Sequence, residues 1–240
     1  MLDVDAPEKR SRLVLETSTT AASRGRLNLR HLAIIDHHRD VLKGARVLDI
    51  ASHDGRWTFA ALEAGAAHVT GIEGRPDLVE NARNTLAAKG VDAARYDFVT
   101  GDVHDVLTQG VGQMDVVMCL GFLYHTLRYP ELLAGIRATG ARHVIVDSKV
   151  SANTNRSIVR VISNPGEIQS MAVEDRFSHN GKSLVGIPNP RAIRQMLRMY
   201  GYEVAGEPNW ASLTAKHPGI GSVNAYATGE RVTMLAVDVD

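Results

Sequence analysis

The stretch Val47-Leu48-Asp49-Ile50-Ala51-Ser52-His53-Asp54-Gly55 decides the fold, because an apolar strand there runs into a turn of small residues. The strand is predicted from Arg46 to Ile50, and a helical pattern follows from about Trp57. Small residues let the backbone pass close to a ligand, and Gly55 can adopt backbone conformations that are closed to other residues. In open parallel sheets, ligands bind beyond the carboxyl ends of the strands. The turn therefore predicts a ligand site.

Short β-branched runs alternate with amphipathic helical stretches from Ala45 onward. Further strands are predicted at His68 to Glu73, Tyr96 to Thr100, Met114 to Leu120, His143 to Asp147, Tyr202 to Ala205 and Thr233 to Val237. This alternation is typical of a parallel sheet with helices on both faces. The predicted fold class is therefore α/β: a doubly wound, mostly parallel seven-stranded sheet with an antiparallel last strand.

Two segments lie outside this alternation. Residues 1–43 predict an N-terminal helical cover, with a helix from Leu27 to Leu42 over the ligand site. Residues 148–188 have a polar, irregular pattern and predict a lid over the substrate. The 240 residues are expected to form a single domain that includes both segments, because this length suits one large α/β core.

Composition narrows the class of protein. Hydrophobic residues make up 44% and charged residues 22% of the chain, as in ordinary globular proteins. Lys plus Arg and Asp plus Glu both number 27, so a nucleic-acid partner is not expected, because nucleic-acid binders usually carry a basic excess. The single cysteine, Cys119, allows no intrachain disulfide, and no apolar run is long enough to span a bilayer. A cytoplasmic location without membrane contact is expected.

Acidic residues follow the next two predicted strands. Glu73 ends the second strand, where an acid can bind both hydroxyls of a ribose. The segment Gly101-Asp102-Val103 follows the third strand. A carboxylate beside an apolar side chain can bind the adenine amino group and cover one face of the ring. Together with the turn, these two acids point to an adenosine-containing cofactor.

The ordered set of turn and acids resembles the class I S-adenosylmethionine-dependent methyltransferases over roughly residues 45–150. The resemblance implies S-adenosyl-L-methionine as the cofactor. It also implies the cofactor-binding residues Asp49, Ala51, Ser52, His53, Gly55, Glu73, Gly74, Asp102, Val103 and Leu120. Ala51 and His53 occupy positions that are usually glycine in the family. A nicotinamide dehydrogenase is the competing interpretation, but its fold requires glycine at the first two turn positions, close to the pyrophosphate.

The segment Cys119-Leu120-Gly121-Phe122-Leu123-Tyr124-His125, followed by Tyr129-Pro130, resembles the family segment that faces the transferred methyl group. Histidine has a pKa suited to removing a hydroxyl proton. His125 is therefore one predicted catalytic base, and His179 in the predicted lid is the other. A helix-capping role for His125 stays open.

Three acidic residues suggest a metal site. Asp147 ends the fifth predicted strand, and Glu174 and Asp175 lie in the predicted lid. Carboxylate oxygens are ligands that Mg²⁺ prefers, and a bound metal would lower the pKa of a hydroxyl acceptor. The set resembles that of metal-dependent sugar and catechol O-methyltransferases and predicts Mg²⁺ at these residues. The alternative is an exposed acidic turn that pairs with Arg176.

O-methylation of a hydroxyl group is the predicted activity. No Asn-Pro-Pro-Tyr or Asp-Pro-Pro-Tyr segment follows the fourth strand, which weakens an amino-nitrogen or nucleobase acceptor. A saccharide acceptor is favoured by a resemblance to actinobacterial sugar O-methyltransferases of the methylmannose polysaccharide type. It is also favoured by the polar lid residues Asn153, Asn155, Arg156, Asn164 and Asn180.

Other functions and partners stay open. The acceptor can instead be another small molecule or a tRNA that receives a methyl or alkyl group, or the chain can be a non-catalytic cofactor-binding subunit. A homodimer with a second copy of the chain stays open as well.

Overall fold

The structure is a computed structural model that describes residues 24–152, 154–165, 176–216 and 224–240. Its strands are β1 (Arg46–Ile50), β2 (His68–Glu73), β3 (Tyr96–Thr100), β4 (Val116–Leu120), β5 (His143–Lys149), β6 (Val159–Pro165), β7 (Lys182–Pro188), β8 (Tyr202–Gly206) and β9 (Arg231–Asp238). Its α-helices are α1 (Arg24–Ile34), α2 (Arg39–Leu42), α3 (Arg56–Glu63), α4 (Pro76–Ala88), α5 (Val103–Gln109), α6 (Tyr129–Ala138), α7 (Pro190–Met199), α8 (Trp210–Lys216) and α9 (Asn224–Ala227). None of these described helices has the length and hydropathy needed to cross a bilayer.

Seven strands form one sheet in the order β3-β2-β1-β4-β5-β9-β8. Strands β1 to β5 run parallel to one another, and β9 lies antiparallel between β5 and β8. The predicted α/β fold class is confirmed, including the antiparallel last strand. The strand order reverses between β1 and β4, and in such sheets the ligand crevice opens at this point, beyond the carboxyl ends of the strands.

Both faces of the sheet are buried. Along β1, Val47 packs into one apolar cluster with α3 and α4, and Leu48 packs into another with α6 and α7. Strands that are covered on both faces are apolar throughout rather than alternating, which explains why every residue of β4 is buried. This packing fixes the carboxyl ends of the central strands, where the site lies.

The predicted cover helix is broken in the structure. Helix α1 ends at Ile34, and a 3₁₀ helix (Asp36–His38) separates it from α2. The His38 ring nitrogen Nδ1 lies 2.8 Å from the Ile34 carbonyl oxygen, so a side chain satisfies a group that a continuing helix would have paired. Residues 1–23 of the predicted cover lie outside the described residues.

The predicted irregular lid contains a two-stranded antiparallel sheet of β6 and β7. Before β7 the chain makes a tight turn through Asn180 and Gly181, whose φ angles are 50° and 67°. His179 and Lys182 exchange backbone hydrogen bonds of 2.9 and 3.0 Å across it. Asn-Gly is the pair that such turns favour, so the position of Asn180 is explained by the turn.

The hairpin of β6 and β7 contacts the rest of the chain at Gly186. The Tyr129 hydroxyl donates to the Gly186 carbonyl oxygen at 2.7 Å, and the Gly186 amide donates to the Thr126 carbonyl at 3.1 Å. A Cβ atom at Gly186 would lie 2.4 Å from the Tyr129 hydroxyl oxygen and 2.7 Å from a Val159 methyl. Only glycine therefore fits where the hairpin meets the segment that follows β4.

We expect Gly186→Ala to lower the free energy of unfolding by about 1–3 kcal/mol, because overpacking forces neighbouring side chains to move. Gly206→Ala is the matched control, since it also lies in a strand but a Cβ there meets no atom within 4 Å. The control should change stability by less than about 0.5 kcal/mol in urea denaturation. Equal losses in the two variants would contradict this account of the contact.

Candidate active site

The turn after β1 has a left-handed backbone at three alternate positions. The φ angles are 54° at Ala51, 54° at His53 and 74° at Gly55. Left-handed geometry costs a residue with a Cβ roughly 1–2 kcal/mol. Ala51 and His53, at positions that are usually glycine in the family that the sequence resembles, are therefore strained here. At Gly55 a Cβ would also lie 3.0–3.2 Å from side-chain atoms of α4 and β3.

Short backbone bonds hold this turn against the sheet. The Ser52 amide donates to the Ile72 carbonyl at 2.9 Å, and the Gly55 amide donates to the Ser52 carbonyl at 3.0 Å. The Ser52 hydroxyl is buried and has no hydrogen-bond partner among the described residues. A buried hydroxyl without a partner is costly, and a polar cofactor atom bound at the turn would satisfy it.

Asp49, on β1, connects the strand before the turn to the helix after it. Its side chain is buried, and Oδ2 accepts a hydrogen bond of 2.8 Å from the Thr58 hydroxyl on α3. Burial raises the pKa of Asp49 to about 7. Asp49 therefore fixes the start of α3 beside the turn, and its cofactor-binding role stays a prediction.

An ion pair within the turn was missed by sequence reasoning. Asp54 and Arg56 are both buried, and Arg56 Nε donates to Asp54 Oδ1 at 2.8 Å. A second bond from Arg56 Nη2 to Asp54 Oδ2 makes the pair bidentate. Although burial opposes ionisation, the interaction with the His53 ring and the charge and bonds of Arg56 hold the pKa of Asp54 well below its usual range. The signal in the sequence was an acid and an arginine on either side of Gly55.

Glu73 links the turn after β1 to the turn after β2. Its carboxylate is buried, Oε2 accepts the His53 amide at 2.9 Å, and Oε1 accepts Arg75 Nε at 3.0 Å. Gly74 follows directly. The predicted ribose-binding acid therefore lies beside the predicted binding turn, and Arg75 holds its carboxylate in place.

Asp102 caps helix α5, which begins at Val103. Its Oδ1 accepts the His104 amide at 2.9 Å and the Arg128 guanidinium at 3.3 Å. Burial alone would raise the pKa of Asp102, but the interaction with His104 and the charge of Arg128 lower it to about 2. The predicted adenine-binding acid is thus ionised at neutral pH and is held at the carboxyl end of β3.

His125 lies beyond the end of β4. Leu120 ends this strand, and a 3₁₀ helix (Leu123–His125) follows. The His125 side chain is half-buried, and its ring lies 4.2 Å from the Tyr124 ring between centroids. Burial lowers the pKa of His125 to about 4, with further lowering by three cations: Arg231, Arg75 and Lys149. The imidazole is therefore neutral at physiological pH and able to accept a proton.

Asp147 is engaged by protein donors rather than free for a metal. Its Oδ1 accepts bonds from Arg30 at 2.9 Å and Arg231 at 2.6 Å. Its Oδ2 accepts bonds from the hydroxyls of Tyr226 and Thr233, both at 2.8 Å. Four donors occupy the roughly four lone-pair positions of a carboxylate, which contradicts the predicted role of Asp147 as a Mg²⁺ ligand.

The other predicted metal and catalytic residues do not gather at this site. Glu174 and Asp175 lie outside the described residues. In the described part of the chain, no group of three or more His, Cys, Asp or Glu side chains could hold a metal ion. His179 is exposed beside the turn before β7, seven residues before the contact at Gly186. The structure therefore places only His125 at the end of β4.

Comparison with known proteins agrees with this geometry. Residues 47–141 match the family described as a methyltransferase domain. The ubiquinone biosynthesis O-methyltransferase of Neisseria meningitidis serogroup C (strain 053442) is 28% identical over 187 residues, 75% of this chain and 72% of that protein. The chain is an S-adenosylmethionine-dependent methyltransferase. A protein of the same name from Bordetella avium (strain 197N) is 32% identical over 101 residues, 42% of the methyltransferase and 39% of that protein.

Solved structures share the fold of the methyltransferase. The N-terminal domain of EvdMO1, crystallised with SAH and D-fucose, has a TM-score of 0.58 at 18% identity, covering 85% of this chain and 80% of that one. The [4+2]-cyclase SpnF has a TM-score of 0.58 at 14% identity, with 93% and 85% coverage. The sequence relatives are named for ubiquinone biosynthesis, so the resemblance to sugar O-methyltransferases is not confirmed by them.

Gly55→Ala is expected to lower the free energy of unfolding of the methyltransferase more than Gly44→Ala. Both residues have a φ of 74°, but a Cβ at Gly44 meets nothing within 4 Å. Gly44→Ala should therefore cost only the left-handed strain, about 1 kcal/mol, and Gly55→Ala about 1–3 kcal/mol more. Titration calorimetry with S-adenosylhomocysteine should show weaker binding for Gly55→Ala alone; weakening in both variants would contradict this.

Asp147→Asn should destabilise the methyltransferase by about 3–5 kcal/mol, because it leaves two buried arginines without their counter-charge. Arg30 and Arg231 hold the pKa of Asp147 low against the opposing effect of burial. The stabilisation is therefore complete above the unfolded pKa near 4 and is lost as the pH falls towards the folded value. Chemical denaturation at pH 7 and pH 3 would measure this, with the exposed Asp97→Asn as a near-neutral control; a similar, small loss in both would refute it.

Proposed function

We propose that the methyltransferase transfers a methyl group to a hydroxyl oxygen of a small acceptor, with His125 as the base. The supporting observation is a half-buried, neutral imidazole beyond the end of β4, next to the strand that carries the binding turn. Bound S-adenosyl-L-methionine would supply an electrophilic methyl group on a sulfonium. The C–S bond breaks as the C–O bond forms, and the hydroxyl proton passes to His125.

A phenolic hydroxyl is the acceptor that this site suits best. A base with a pKa of about 4 is weak, so it needs an acceptor that gives up its proton readily. A phenol has a pKa of about 10, well below that of an alcohol, and the cations around His125 favour the developing phenolate. The named activity of the Neisseria and Bordetella relatives, ubiquinone biosynthesis O-methylation, supports the same hydroxyl chemistry.

A saccharide hydroxyl is the second candidate. It rests on the polar residues of the predicted lid, of which Asn155 and Arg156 are exposed. The side chains of Asn153 and Asn164 lie outside the described part of the structure. Because Asn180 is explained by its turn, the lid gives less support for a sugar than the pattern of asparagines in the sequence did.

His125→Ala should lower kcat for methyl transfer by about 10²–10⁴-fold, the usual contribution of a general base. His179→Ala is the matched control, since that histidine is exposed beside the turn before β7, and it should keep wild-type activity. The assay measures formation of S-adenosylhomocysteine with dihydroxyphenols and with monosaccharides as acceptors. Loss of activity in His179→Ala, or none in His125→Ala, would reject His125 as the base.

The pH dependence of kcat/KM gives an independent test. Because burial and neighbouring cations lower the pKa of His125 to about 4, its neutral form dominates above that pH. The activity limb due to His125 should therefore appear near pH 4, and activity should not fall between pH 7 and pH 5.5. An acid limb near pH 6.5, the value of an unperturbed histidine, would contradict the environment described here.

A further inference from the structure

Positive charge is in excess at the carboxyl end of β5, on one face of the sheet. Asp147 and Lys149 are two residues apart on β5, so their side chains point to the same face. Lys149 lies directly opposite Arg231 in the register of β5 and β9. Arg30 and Arg231 both bond to Asp147, and Lys149 adds a further positive charge on this face. Like charges directly opposite each other on paired strands are destabilising.

Arg231 is fixed in place before any ligand arrives. Its side chain is 9% exposed, and Asp147 accepts its Nη2 at 2.6 Å. Nε lies 3.3 Å from the Tyr226 hydroxyl, and Nη1 lies 3.4 Å from the Tyr124 hydroxyl. A guanidinium has five N–H donors in a planar fork, so the bonds to described residues use three of the five. The remaining donors suit an anionic oxygen.

Lys149, which lies opposite Arg231, is the more exposed of these two residues. Its side chain is open to solvent, and it forms no ion pair within the described ranges. Glu230, the acid next to Arg231, is also exposed and makes no ion pair among the described residues. Arg30 adds a buried Nε that has no partner in the described part of the chain. Lys149 and the Arg30 guanidinium therefore offer hydrogen-bond donors to an anion.

This cationic face lies beside the proposed base. Arg231 is over the Tyr124 ring, with 5.3 Å between the guanidinium carbon and the ring centroid, and the Tyr124 ring contacts that of His125. One aromatic side chain thus separates the guanidinium from the imidazole. A small aromatic ring can likewise carry a carboxylate on one side and a hydroxyl on the other.

We propose that Arg231 and Lys149 bind a carboxylate on the acceptor, so that the substrate is a small hydroxy acid such as a hydroxybenzoate. This inference rests on the proposed function, because it places the hydroxyl of the same molecule at His125. Asp147 acts here as a positioning residue that fixes Arg231, and Lys149 supplies the second charge.

Binding of two matched probes tests the site without requiring methyl transfer. The protein is saturated with S-adenosylhomocysteine, which fills the place of the cofactor's own carboxylate. Titration calorimetry then compares 3,4-dihydroxybenzoate with 3,4-dihydroxybenzamide, which lacks the negative charge. We expect the benzoate to bind at least about ten-fold more tightly, because hydrogen bonds to a charged group are the stronger ones.

Lys149→Gln should reduce this preference at least about five-fold and leave the affinity for S-adenosylhomocysteine unchanged. Lys182→Gln, an exposed lysine at the start of β7, is the control and should keep the preference. Equal affinity for both probes, or no binding of the benzoate, would overturn the proposal. So would weaker S-adenosylhomocysteine binding in Lys149→Gln, since the lysine would then serve the cofactor instead.

Methyl transfer to the two probes is measured separately. A benzoate that binds through Lys149 but is never methylated leaves the anion site standing and rejects the proposed function. Probes that are methylated equally well and bind equally well support hydroxyl methylation and reject the anion site.

Discussion

Burying the carboxylate of Asp147 is costly unless donors surround it, and this constraint organises the face of the sheet on which the cover helix lies. Its four donors come from α1, from α9 and from Arg231 and Thr233 on β9, so one side chain connects these elements to β5. The same bonds fix Arg231 against Tyr124, the neighbour of His125. Removing the charge would therefore disturb both the fold of this face and the surroundings of the base.

The turn after β1 shows how a binding site stores strain. Ala51 and His53 adopt a backbone that glycine would adopt freely. Two features offset this cost: the His53 amide bonds to Glu73, and the Asp54–Arg56 pair is buried within the turn. Residues held in sparsely populated backbone regions are common where a ligand binds. Strain at the turn and the unpaired Ser52 hydroxyl are consistent with a site that is completed by its cofactor.

Electrostatics links the cofactor side of the site to the acceptor side. Arg75, which holds Glu73, and Arg231, which Asp147 holds, both lower the pKa of His125. A base in such a field is weak, but the field also favours an acceptor oxygen that becomes negative as its proton leaves. This is the physical reason for preferring an acidic hydroxyl, and an acidic group beside it, over a neutral sugar.

The sequence by itself determined the sheet and where the residues predicted to bind the cofactor lie in it. The strands β1, β2 and β3 have their predicted bounds, because apolar runs between turn residues are local signals. The turn, Glu73 and Asp102 lie at the carboxyl ends of β1, β2 and β3, as the sequence predicted, and their contacts with the cofactor stay predictions. The break in the cover helix and the hairpin in the lid were not predicted, because His38 and Gly186 act through contacts that periodicity does not report.

Only the tertiary structure decided what Asp147 does. Its partner Arg231 lies 84 residues away in the sequence and Arg30 lies 117 residues away. The local sequence around Asp147 therefore could not distinguish an ion-pair partner from a metal ligand. The structure also separated His125 from His179, which the sequence could not rank. Local pattern fixes which residues end strands, whereas long-range pairing fixes which of their charges are already satisfied.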